Sequence, residues 1–380
     1  MSVEDLRKKV VSSLPPGTPA PSCCWIRLNF QPRNPYNKSA ENYTRKVNLK
    51  YAVQQRLLRV QHEDGPYGRH QFKLLKCFAV KYRDFSLFQC LDDKAIVPVG
   101  DPGHPVSTGV RSQHGAIVAN DGCVAALDHD FHIDGIVPSV CFMVDIPETP
   151  VDSFYRGLVH VTVKEKVFQS SSHLRHSTET VKIMQSNGEL DAEKQILIRY
   201  TDGGPDHRTN FKSVQMSALC EFIALDLDML VCARTAPSQS YHNPAERVMS
   251  TLNLGLQNVA LERPCMPPQF ELQVKSLSTL KSIRNAAERS KQLKTAYQSS
   301  MEQPVTFITE RFSKLKWSGE SLVTHNAATT EEMDHLSSML HVIDPNVRIA
   351  DKKTWKSDAL DAFMSQHSRQ RVYMFQVSCK

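Results

Sequence analysis

Apolar and polar positions alternate along this chain in two periods, close to 3.6 and close to 2, and the order in which those periods succeed one another predicts most of its elements. Tyr43, Val47, Leu49, Val53, Leu57 and Val60 recur at mostly helical spacing, with Arg45, Lys46, Lys50, Arg56 and Arg59 between them, so residues 39–59 read as a basic amphipathic helical region. Phe85-Ser-Leu-Phe-Gln-Cys-Leu91 is short and suits a strand; Asp92-Asp93-Lys94 and then Ala95-Ile-Val-Pro-Val-Gly100 follow, which predicts a hairpin with acids at its tip. Two further strands are expected at 137–146 and 158–168, and a helix at 178–186. Gln195-Ile-Leu-Ile-Arg-Tyr-Thr201 is almost continuously apolar, as a strand covered on both faces should be, and it stops at Asp202-Gly203-Gly204-Pro205. Phe211, Val214, Leu219, Phe222 and Ile223 then mark a helix over 210–225, and Asp228-Met-Leu-Val-Cys-Ala233 a second buried strand. After a polar loop, Asn243-Pro244-Ala245-Glu246 opens a helix running to about Val259, with Asn at the N-cap, Pro at the first helical position and Glu in the first turn.

The remaining segments are less regular. Four prolines within residues 12–22 break any regular structure and mark a linker or leader. Residues 101–135 are rich in Gly, Pro, His and Asp, with one small strand candidate at 115–120, and read as an insertion or a long functional loop. Beyond Arg263 strand signals are few until 372–377; residues 275–298 form a basic helical stretch and 329–340 another helix. The expected organisation is a basic N-terminal region and linker over 1–84, a catalytic core over 85–262 with its insertion near 101–135, and a helical C-terminal region over 263–380.

Composition narrows the function classes only modestly. A chain of 380 residues can bury a full core with material left for extra modules. A net charge of +6 permits a polyanionic partner without requiring one. The ten cysteines have no pair separated by two to four residues, so no zinc module is expected. A charged N-terminus and a longest nearly apolar run of only 136–144 argue against a secretory signal or a membrane span, so a nuclear or intracellular protein without a membrane partner is expected. His129 with His132 and His173 with His176 lack an obvious completing carboxylate or thiol in sequence, and read as surface or hydrogen-bonding histidines.

Strand with acid, strand, strand, helix, strand with acid, helix, strand, helix with acid is the element order of a ribonuclease-H-like fold: a mixed five-stranded α/β sheet in which three antiparallel strands are extended by two parallel ones. Tyr200-Thr-Asp202-Gly-Gly-Pro-Asp-His-Arg and Pro237-Ser-Gln-Ser-Tyr-His-Asn243-Pro-Ala-Glu246-Arg247 resemble the second and third catalytic blocks of DDE transposases and integrases, and Leu91-Asp92-Asp93-Lys94 resembles the first. That resemblance covers roughly 85–262. It implies that Asp92, Asp202 and Glu246 are catalytic carboxylates that bind two Mg²⁺ or Mn²⁺ ions, with Asp93 as the alternative first acid. It further implies that Lys94, Asn243 and Arg247 lie at the substrate, and that the partner is DNA, bound by a homo-oligomer. Two hard cations held by carboxylates can both activate an attacking oxygen and stabilise a leaving one in phosphodiester chemistry. The implied activity is DNA strand cleavage and strand transfer of mobile-element type; the alternatives are a domesticated descendant that binds DNA or protein without catalysis, and a nuclease that cleaves without transposing. No zinc finger or helix-turn-helix is visible to specify a target.

Overall fold

In a computed structural model of the chain, residues 3–30, 62–110, 134–186, 194–277 and 279–379 are described. The chain divides into two compact units, Met1–Val60 and Gln61–Lys380. In the first, helices α1 (Val3–Ser12) and α2 (Cys23–Phe30) flank the proline-rich stretch, and Arg7 Nε donates to the carbonyl of Pro21 across it at 2.9 Å. The basic region expected at 39–59 and the strand candidate at 115–120 lie outside the described residues.

The second unit begins with α3 (Gly65–Lys81), which enters through Pro66 and buries Leu75 and Ala79. The sheet strands follow: β1 (Ser86–Asp93), β2 (Val97–Pro98), β4 (Gly135–Val144) and β5 (Gly157–Glu165), with the two-residue β3 (Val106–Ser107) pairing elsewhere. After α4 (His173–Ser186) come β6 (Ile196–Thr201), α5 (Lys212–Ala224), β7 (Met229–Arg234) and α6 (Pro244–Leu256). Within the sheet β5, β4 and β1 are antiparallel neighbours, while β1–β6 and β6–β7 are parallel, giving the order β5-β4-β1-β6-β7. Three antiparallel strands extended by two parallel ones is the ribonuclease-H-like arrangement expected from the sequence.

The hairpin expected over 85–100 is not formed. β1 pairs instead with β4, Phe88 facing Val144 and Asp93 facing Ser139, and the Ala95–Gly100 segment turns away to add β2 to the start of β4. The long apolar β4 offers a ladder along the whole of β1, and Pro98 lacks the amide hydrogen that a central strand needs. Asp92 and Asp93 therefore end a central strand rather than cap a turn.

The sheet is also wider than five strands, reaching nine among the described residues. After β8 (Ala260–Leu261), which pairs β3, helices α7 (Pro268–Lys275), α8 (Leu280–Arg289) and α9 (Lys291–Ser313) lead to the two-stranded pair β9 (Lys316–Trp317) and β10 (Glu320–Ser321). Then β11 (Val323–Asn326) joins β5 in parallel at one edge. Past α10 (Thr330–Ser337) and α11 (Asp358–His367), β12 (Ser368–Arg371) and β13 (Met374–Ser378) form a hairpin whose second strand pairs antiparallel with β7 at the other edge. The C-terminal third is thus helical, as expected, but it also supplies both outer edges of the sheet.

Alternation along the strands divides the core into two layers. Phe88 and Cys90 of β1, with Ile198 and Tyr200 of β6, pack under α3, α6 and α9; Leu87 and Leu91, with Leu197, pack under α4 and α5. Among the described residues no helix is long and apolar enough to cross a membrane.

Candidate functional site

Because Phe88 and Cys90 face the α6 layer, the same alternation sends Asp92 to that side and Asp93 to the other. β1 and β6 run parallel in register, with Leu91 beside Thr201, so Asp92 and Asp202 leave the ends of adjacent central strands at the same level. Glu246 arrives from the first turn of α6. That turn is set locally: Asn243 has extended φ and ψ, its Oδ1 accepts from the amide of Ala245 at 3.2 Å, and Pro244 begins the helix. The same side chain reaches the sheet, Nδ2 donating to the carbonyl of Leu91 at 2.7 Å, so one buried amide fixes the start of α6 against the end of β1.

The electrostatics at this corner are one-sided. Asp92 is only 8% exposed, and its carboxyl is pushed up from 3.8 to about 8, first by burial and then by the negative charges of Asp202, Glu246 and Asp93; the Asp93 amide alone opposes the shift. The largest charge effects on it all come from acids. Asp92 therefore lies within electrostatic reach of both Asp202 and Glu246, and burial together with their charges favours its protonated form. Asp202 is shaped by its turn: Oδ1 accepts from the amide of Gly204 at 3.0 Å, its carbonyl accepts from Thr235 Oγ1 at 2.6 Å, and Gly203 adopts φ +83° against the side chain of Arg234.

The three other residues singled out in the sequence behave differently. Lys94 donates from Nζ to Asn253 Oδ1 on α6 at 2.6 Å, and burial lowers its pKa. Arg247 is exposed, its guanidinium 3.9 Å from the ring centre of Tyr155, next in sequence to Glu246. Both ends of the Asn243 amide are engaged within the chain, so its observed part is to position α6.

On the opposite side of β1 lies a second group that sequence reading did not assemble. Asp93 accepts from the hydroxyls of Ser139 and Ser171, and Lys164 Nζ and His176 Nε2 each stand 3.6 Å from its oxygens. Burial would raise the Asp93 carboxyl, but His176, Lys164 and the two hydroxyls hold it well below the ordinary range. Burial also drives His176 well below its ordinary value, reinforced by Lys164. Asp206, on a short 3-10 turn after β6, completes the group, and the candidate ligand atoms of Asp93, His176 and Asp206 lie within 4.8 Å of one another. His176 is 6% exposed, which removes the surface half of the expected surface or hydrogen-bonding role; α4 starts at His173 rather than Thr178 and turns that residue toward the sheet. The i, i+3 pair His173 and His176 was the one sequence signal for this group; its carboxylates come from β1 and from the turn after β6.

No protein-family model and no curated protein matches the chain. Among solved structures it is similar to a crystal structure of the Mos1 strand transfer complex, at 9% identity and a TM-score of 0.30, covering 84% of this chain and 75% of that one. It is also similar to a pre-cleavage Mos1 transpososome (8% identity, TM-score 0.31, 82% and 92% covered) and to the Mos1 mariner paired end complex with Mn (12% identity, TM-score 0.30, 83% and 94% covered).

Proposed function

We propose that the chain is a metal-dependent polynucleotidyl transferase of the DDE type, cleaving and transferring DNA strands, with Asp92, Asp202 and Glu246 as its metal-binding carboxylates. The observation that carries this reading is that Asp92 and Asp202 leave two adjacent parallel central strands at the same level, with Glu246 on α6 near enough to help push the buried Asp92 carboxyl up to about 8. A buried acid within electrostatic reach of two others offers oxygen donors to a hard divalent cation, whose charge would offset theirs. Two Mg²⁺ or Mn²⁺ ions bound there would activate the attacking oxygen and stabilise the leaving oxygen of a phosphodiester exchange.

The chain's own residues account for the rest. Asp92 and Asp202 present their carboxylates from rigid strand ends, and Glu246 adds a third from a helix whose start is strapped to β1 by Asn243. Arg247, exposed beside Glu246 and steadied over Tyr155, offers a guanidinium suited to a phosphate oxygen. Lys94, tied to Asn253 on α6, braces the segment after β1 and brings a second positive group to the same corner. Residues 85–262 form the catalytic portion in this reading, acting inside the cell, in the nucleus where the DNA is nuclear, as an oligomer on DNA.

The test is incubation of the purified protein with labelled duplex DNA in Mg²⁺ or Mn²⁺, beside Asp202→Asn. Nicking that requires the ion and disappears in the variant is the expected result. DNA bound equally by both proteins, with no cleavage by either, would remove the catalytic reading and leave a binding protein.

A further inference from the structure

We propose that Asp93, His176 and Asp206 form a second divalent-cation site, on the α4 side of the sheet, for an ion that accepts an imidazole nitrogen beside carboxylate oxygens, Zn²⁺ being the best match. The three donors come from three elements, β1, α4 and the turn after β6, and their ligand atoms already lie within 4.8 Å of one another. The central donor is unsatisfied. His176 is 6% exposed and its Nε2 makes no hydrogen bond, standing 3.6 Å from Asp93 Oδ2, too far for one. A buried polar atom without a partner is costly, and this one points at a carboxylate. Beside it is a cavity of about 20 Å³ lined by His176, Asp206, His207 and Thr201, room for one water-sized body. Three protein ligands plus one open position of that size is a familiar zinc arrangement. Two carboxylates with one imidazole favour Zn²⁺ over Mg²⁺, which takes oxygen donors.

Lys164 is the competing cation. At 3.6 Å from Asp93 and 3.8 Å from Glu179 it shares one charge between two acids without a hydrogen bond to either. Asp93 is also oriented as metal-bound carboxylates are, both its oxygens receiving hydroxyl hydrogens from Ser139 and Ser171. Bound there, the ion would pin the end of β1 to α4 and to the loop leaving β6. Its existence does not depend on what the Asp92 side of the sheet does.

The experiment uses the full chain carrying Asp92→Asn and Glu246→Gln, so that the first carboxylate group is disabled. Zn²⁺ is titrated by calorimetry and Co²⁺ by its visible absorption, which reports nitrogen ligation. One equivalent should still bind, and adding Asp206→Asn should weaken it at least about tenfold. Asp206 is only half-buried, so that variant is expected to keep its fold, checked by circular dichroism; His176→Gln is the companion variant. Absence of any bound equivalent in the doubly substituted chain, or unchanged affinity in a folded Asp206→Asn protein, overturns the proposal. DNA nicking is measured separately, and neither its presence nor its loss bears on whether this second ion binds.

Discussion

Replacing Asp92 by asparagine should stabilise the metal-free protein at neutral pH, although it removes a central group of the proposed site. The folded carboxyl titrates at about 8 and the unfolded one near 3.8, so between those values the folded state holds a proton that the unfolded state has released. Stability therefore falls as pH rises through that window, is unaffected below it where both forms are protonated, and levels off above it. Each unit corresponds to about 1.36 kcal/mol, so at pH 7 the penalty approaches roughly 4 kcal/mol as an upper bound, water entering the strand end taking a share. Asparagine keeps the shape and carries no charge, so it abolishes the term. Thermal unfolding in EDTA at a series of pH values should show no gap between variant and wild type near pH 4, a gap of a few degrees in favour of the variant by pH 7, and no further widening above about pH 8. Mg²⁺ at a hundred times its dissociation constant should then add about 2.7 kcal/mol to the wild type and far less to the variant. A variant less stable than wild type at pH 7.5, or a gap that does not grow between pH 5 and 8, would refute the claim that Asp92 is buried among acids.

Two other substitutions probe the frame around the site. Asn243→Ala removes the cap of α6 and its strap to Leu91 together and should lower stability by about 2 kcal/mol, read from the urea midpoint, whereas a loss below about 0.5 kcal/mol would show that neither bond matters. Glu221→Gln leaves the guanidinium of Arg199 without its charge partner beneath α5 and should cost about 3–5 kcal/mol, while replacing both members by methionine should restore most of it; equal stability of the single variant and wild type would mean that water reaches the pair.

The parts of the fold that could be read from the sequence are those where a local pattern and a tertiary role coincide. The run 195–201 is apolar on both faces because β6 lies between two neighbours and two helical layers, and Asn243-Pro-Ala-Glu announces a helix start whatever that helix does. Pairing was not legible. Nothing in Phe85–Leu91 indicates that its partner is β4, beyond the insertion, and the adjacent Ala95–Gly100 looked the better candidate because it was nearer. Of the C-terminal strands β13 is announced by the run 372–377, whereas β11 and β12, Val-Thr-His-Asn and Ser-Arg-Gln-Arg, are short and polar, as edge strands often are, and carry no apolar run. The helix Gly65–Lys81 begins with Gly-Pro-Tyr-Gly, which reads as a turn until its packing against the sheet is seen. Asp92 is singled out in the sequence through resemblance alone, and strand alternation gives its neighbour Asp93 a separate set of partners.

The way the sheet ends has a practical consequence. β13 covers the backbone edge of β7, and β12 beyond it presents Arg369 and Arg371 to solvent, a positively charged border that repels a second copy of itself. Shortening the protein at the boundary suggested by the three acidic motifs, near residue 262, would strip that border away and leave an apolar parallel strand with open amides and carbonyls. A minimal core made that way would stick to its own kind in the test tube, and its silence in an assay would say nothing about the chemistry of the intact chain.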